Sequence, residues 1–299
     1  NSNTNTGTMI MGENHVVSNS NHDAVFGISH ELITTHNSIV SGRDHKLTTS
    51  SDVVVDGSTN VLTNATFSKV SGAKNTLSGV SYSNVTGLSN NLTTVNKSLV
   101  IGDDNTVNTV DNSILSGKSN NLNTVNYTAV AGLSNILTTV NYSEVFGNSN
   151  NLTSVDDSIM GGKSNVVNTA INSILTGKSN DATSISNTSV QGISHNLDTV
   201  NDSIVGGNSN TLERNMNTVV FGKGHKVKDV SYSTILGETN DVSNNTYHSQ
   251  VGGLSNKVNK VEYSIVSGKT HDVKDSSGNN VSGLSNTVNK TTNSIVAGS

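Results

Sequence analysis

The chain has no cysteine, no proline and no tryptophan, and only four phenylalanines and six tyrosines among its 299 residues. Without cysteine there is no disulfide framework. Without proline every residue keeps a backbone N–H, which suits a chain whose amides nearly all join a ladder between strands. A hydrophobic content of 31% with 3% aromatics argues for a narrow core. The net charge of −5 is scattered, so no basic face is offered to nucleic acid or to an anionic membrane. No apolar run reaches the roughly 18 residues of a membrane helix, and there is neither a signal-peptide pattern nor a sustained heptad. Asn, Ser and Thr fill most other positions, a composition that by itself suggests disorder. The register of those residues argues for order.

A glycine returns every fifteen residues, from Gly12 and Gly27 through Gly117, Gly132 and Gly147 to Gly237, and after one inserted residue again from Gly253 to Gly298. A short fixed period identifies a solenoid, in which each coil hides its apolar side chains only by stacking on its neighbours. Two residues before the glycine stands an aliphatic side chain, as in Val25, Val40, Val70, Leu115, Val130 and Val190. Five residues after it stands Leu, Val or once Ala, as in Leu92, Leu122, Leu152, Leu212, Val258 and Ala182. Asn or His occupies the third position after it, as in His30, Asn120, Asn135, Asn150 and His225, and Ser or Thr dominates the fourth position before it. This alternation has the period of strands.

The reading is an all-β parallel solenoid of about 20 coils spanning residues 1–299 as one domain. Each coil is two short strands and two turns, with the glycine at a corner where it supplies left-handed angles. Many coils add a third apolar residue eight after the glycine, at Val80, Val95, Val110, Val125, Val140, Val155, Val230 and Val261. The same position is polar near the chain ends, at Ser20, Thr35, Ser50 and Ser276, so the interior is expected to be widest in the middle. The inserted residue is expected to bulge outward within 244–248.

Residues flanking the fixed aliphatic point away from the interior. They include Ile39, Ile114, Ile159, Ile174, Ile204, Ile265 and Ile295 on one side, and Phe26, Ile101, Phe146, Phe221 and Leu236 on the other. Such an outward apolar stripe reads as an oligomer interface. Tyr82, Tyr127, Tyr142, Tyr232 and Tyr263, with Phe67, stand five residues before the glycine, and Tyr247 lies by the insertion. These tyrosines are candidate receptor contacts, since Tyr gives large contact area for little entropy; the alternative is that they cover turns or seal the oligomer seam.

Chemistry is sparse. His15, His30, His45, His195, His225 and His271 occupy the Asn position and read as hydrogen-bonding substitutes for it, although three on adjacent coils have a spacing that a metal can use. His22, His36 and His248 lie off that ladder with no evident partner, and Asp103–Asp104 and Asp156–Asp157 read as solvated turn residues. No catalytic residue, metal site or cofactor is expected.

Hexapeptides such as Asn112-Ser113-Ile114-Leu115-Ser116-Gly117, Asn172-Ser173-Ile174-Leu175-Thr176-Gly177 and Asn293-Ser294-Ile295-Val296-Ala297-Gly298 resemble the head repeats of trimeric autotransporter adhesins, the YadA-like left-handed parallel β-roll. The resemblance runs along essentially the whole chain. It implies a homotrimer on the outer membrane of a Gram-negative bacterium, carried on a stalk with a membrane anchor. It also implies binding of a host cell-surface receptor of CEACAM type or of an extracellular-matrix protein. The period of fifteen, where many such heads use about fourteen, and Asn/His followed by Leu/Val depart from the family pattern. Because the chain opens and closes inside the repeat, it reads as an excised head. A structural spacer, a role in bacterial autoaggregation and an ice-binding solenoid are the other classes. Ice recognition needs an unbroken rank of Thr, which Asp198, Glu213-Arg214 and Lys228-Asp229 interrupt.

Overall fold

The computed structural model describes residues 5–214, 216–229, 231–243, 248–260, 262–275 and 277–298. These are all-β, and no helix occurs among them. They form two compact units, Asn1–Ser149 and Asn150–Ser299. Within each unit the coils stack in parallel with a fifteen-residue register: Leu115 pairs with Val130 and Gly117 with Gly132 in the first, Leu175 with Val190 and Gly177 with Gly192 in the second. The register becomes sixteen once, where Thr234 pairs with Gln250 and Val242 with Val258, so the extra residue falls between Val242 and Gln250. Val230, Tyr247, Val261, Ser276 and the rest of 244–247 lie outside the described residues.

One coil shows how the sequence makes the fold. Ile114–Lys118 forms a five-residue strand and Asn121–Asn126 a second strand of six. Ser113, Leu115, Asn120, Leu122 and Val125 point inward and are buried, whereas Ile114 is 55% exposed. Repetition at each rise of about 4.8 Å turns these into columns of like side chains. Val25, Val40, Val70, Leu92, Val130, Leu152, Val190, Leu212 and Val258 all lie in such columns and are no more than 1% exposed. The eighth position after the glycine is buried even where it is polar, as at Ser20, Thr35 and Ser50. Ser20 and Thr35 satisfy each other there through a 2.9 Å hydroxyl hydrogen bond.

Three features differ from the two-strand, two-turn coil. First, the glycine is not at a corner. Gly117 lies inside its strand with φ of 125°, and a Cβ built on it would fall on the carbonyl oxygen of Gly132 in the next coil. Second, the corners belong to Ser119, Thr124 and Tyr127, with φ of 56°, 53° and 49°. Third, a minimal third ladder of single-residue parallel bridges runs through Asn21, His36, Ser51, Thr66 and Ser81 in the first unit, and through Ile171, Ser186 and Asn201 in the second. In coils such as Asn121–Asn126 this ladder merges with the second strand, which bends at Thr124.

Candidate functional site

The interior is a set of hydrogen-bonded polar ladders beside the apolar one. Asn75 Nδ2 donates to Asn60 Oδ1 at 3.1 Å and to the Gly87 carbonyl at 2.9 Å, while Asn75 Oδ1 accepts the Asn90 backbone N–H at 3.1 Å. Asn120 and Asn135 are members of the same buried column, and Asn150 is buried likewise in the second unit. Asn120 and Asn135 donate to the carbonyls of Gly132 and Gly147, so each Asn and the glycine of the next coil, twelve residues later, are two halves of one device. The Ser column works likewise: Ser113 Oγ donates to the Asp111 carbonyl at 2.9 Å and accepts the Thr128 N–H at 3.2 Å. Among the described residues these bonds leave few polar groups of the core unsatisfied.

Histidine takes the Asn position with both ring nitrogens engaged in His30, His45, His195 and His225, whereas in His15 only Nδ1 is bonded and Nε2 is buried without a partner. In His45, Nδ1 accepts the Asn60 N–H at 3.1 Å and Nε2 faces the Ser41 carbonyl at 2.9 Å. An acceptor at Nδ1 and a donor at Nε2 describe the neutral ring with its proton on Nε2. His30 and His45 stack at 5.0 Å between ring centroids, but with both nitrogens engaged neither has a lone pair free for a metal. Among the described residues no three His, Asp or Glu side chains converge on one point. Asp103 and Asp156 end strands, where Asp103 Oδ1 accepts the Leu88 N–H at 3.1 Å, while Asp104 and Asp157 are left-handed corner residues.

Burial holds the imidazoles of His30, His45, His195 and His225 below the ordinary value of 6.5, against the opposing pull of the carbonyls that face Nε2. The unfolded chain therefore takes up protons near pH 6.5, and the folded chain only at lower pH. Stability is fully present above 6.5 and is lost as the pH falls from there through the folded values. Thermal melts from about pH 8 down to about pH 5 are expected to show this loss. His45→Asn with His225→Asn restores the ladder's commoner residue and is expected to flatten the profile; an equal slope in the variant contradicts the assignment.

The outer surface carries the aromatic residues. Phe67 and Tyr82 stack at 5.1 Å and 9° between ring planes, and Tyr127 and Tyr142 at 5.1 Å and 2°. In the second unit Tyr232, His248 and Tyr263 form a continuous stack with steps of 5.0 and 5.1 Å. Each of these phenylalanine and tyrosine rings is more than half exposed, and every member sits at a left-handed corner. The parallel register forces the rings face to face, so faces are spent on one another and edges with hydroxyls meet solvent. Each stacked pair contributes about 1 kcal/mol. His248 corrects the sequence reading, which gave it no partner; counted back from the shifted Gly253 it occupies the tyrosine position.

The outward face of the long strands carries the aliphatic residues. Ile39, Ile114, Ile159, Ile174, Ile204, Ile265 and Ile295 are exposed there, with Ile101, Phe146, Phe221 and Leu236 beside them, and Phe26 is half-buried. Where Gly252 interrupts this surface, Leu236, Thr234, Gln250 and Ile265 line a depression of about 280 Å³. The short strands of the second unit instead carry charge, with Glu213 bridging to Arg214 at 3.0 Å and to Lys228 at 3.2 Å. Surface pairs of this kind add little stability, but they break the Thr column on that face.

No family model and no curated protein matches this chain.

Proposed function

We propose that the chain is the non-catalytic head of a trimeric autotransporter adhesin, a homotrimer of left-handed parallel β-rolls displayed at the bacterial outer membrane. The observation that carries this reading is the exposed aliphatic stripe on the long-strand face together with separate stacks of exposed tyrosines at the corners. The stripe suits burial against further copies of the chain, because contiguous apolar surface on a soluble protein marks an interaction site. The tyrosine stacks suit a second partner. They present rigid edges and hydroxyls at a constant spacing, the kind of group that anchors protein interfaces. The partner is then a host cell-surface receptor or an extracellular-matrix protein.

The test has two parts on one preparation. Equilibrium sedimentation is expected to report three chains per particle, and a monomer contradicts the stripe as a self-interface. The same particle, screened against human cell-surface and matrix proteins, is expected to bind. Tyr127→Ala combined with Tyr142→Ala then weakens that binding about tenfold or more, while the fold is retained and the melting temperature falls only by the loss of one stacked pair. A particle that binds nothing supports a spacer, and unaltered affinity in the double variant removes the tyrosines from the contact.

A further inference from the structure

Tyr127 and Tyr142 are the two described tyrosines whose rings stack on each other, since Tyr82 stacks on Phe67, and Tyr232 and Tyr263 both stack on His248. Their centroids are 5.1 Å apart at 2°, and the side chains are 53% and 61% exposed. Two phenols are thus held in register with their hydroxyl edges open to solvent, by backbones that pair Asn126 with Asn141 immediately beside them. We propose that this pair is a site of oxidative cross-linking, at which hydrogen peroxide and a haem peroxidase join the two rings into dityrosine within one chain. The inference stands apart from adhesion and needs only the stack.

The peroxidase removes one electron and the phenolic proton from each tyrosine, giving two phenoxyl radicals with spin density on the carbons ortho to oxygen. Those carbons form one C–C bond, and the hydrogen displaced from each moves to its oxygen, restoring both phenols. Two hydrogens leave the protein, the O–O bond of one peroxide breaks, and two waters form. Elsewhere a tyrosyl radical must wait for a second molecule. Here its partner is already in place, and proximity of this kind raises effective concentration by many orders of magnitude. Tilting of the exposed rings about their Cα–Cβ bonds brings the ortho carbons together. The product ties adjacent coils covalently across a closed loop, which restricts the unfolded chain as a disulfide does.

Trypsin makes the test direct, because no Lys or Arg lies between Lys118 and Lys163, so both tyrosines fall in one peptide, 119–163. The purified chain is treated with horseradish peroxidase and hydrogen peroxide, then read by dityrosine fluorescence and by peptide mass. The expected result is a 119–163 peptide lighter by two hydrogens and a raised melting temperature. Tyr142→Phe keeps a stacked ring, as Phe67 does over Tyr82, and is expected to lose both the mass change and its share of the fluorescence. Tyr82→Phe is expected to retain them. An unmodified 119–163 peptide in the treated wild type overturns the proposal, as does two copies of that peptide joined between chains, or fluorescence unchanged in Tyr142→Phe.

Discussion

Alanine in place of Gly253 is expected to unfold the coils around it, whereas alanine one residue earlier, at Gly252, is expected to leave the melt unchanged. The two glycines are neighbours in sequence and opposites in space. Gly253 has φ of 109°, and a Cβ there would fall on the carbonyl oxygen of Gly268. That atom is backbone and cannot swing aside. It also accepts Asn256 Nδ2 at 3.1 Å, so any shift that relieves the clash breaks the polar ladder. Strain and a lost buried hydrogen bond together put the cost at about 4 kcal/mol or more. Around Gly252 no atom lies within 4 Å of a built Cβ, and the change there costs under about 0.5 kcal/mol. Thermal melts with limited proteolysis check both, and equal effects of the two substitutions refute the role given to the glycine column.

Leu122→Asp is expected to be as damaging by another route. Leu122 is fully buried, with Val107 and Leu137 in register below and above it. Its truncation alone costs roughly 3 kcal/mol, and a carboxylate there has no donor within the apolar column, which raises the penalty further. Coils are stabilised by their neighbours, so the damage spreads to adjacent turns before it is contained. Asn121→Asp, on the exposed side of the same strand, serves as the control and is expected to change stability by less than about 0.5 kcal/mol. A melting temperature in Leu122→Asp close to that of the control places the side chain outside the core.

The apolar interior was legible in the sequence because burial follows strand alternation: Leu115, Leu122 and Val125 are inward at the offsets that the fifteen-residue period picks out. The glycine was harder. A positive φ serves a corner and a close backbone approach equally well, and only the next coil's carbonyl, fifteen residues away, tells them apart. The third ladder left no compositional signal, since its flanking corners are Thr124 and Tyr127, residues that rarely take left-handed angles. His248 was hidden by the single-residue shift of register, which moves it into the tyrosine column only when offsets are counted from Gly253. The tyrosine column itself was visible as a spacing, but the consumption of ring faces by stacking follows from three dimensions.

The constant register also bears on how such a chain changes over generations. Duplication or loss of one whole fifteen-residue unit leaves every Asn, Ser and Gly opposite its own kind, so reach can be lengthened or shortened by single steps of about 4.8 Å with no interior redesign. An insertion of any other size has to be expelled from the ladders. The ladders accommodate one coil of sixteen residues in this way, with the extra residue between Val242 and Gln250 and the pairs Thr234–Gln250 and Val242–Val258 kept on either side. The first described residue after it, His248, stands in the Tyr232–His248–Tyr263 stack, so the corner column continues across the change of register.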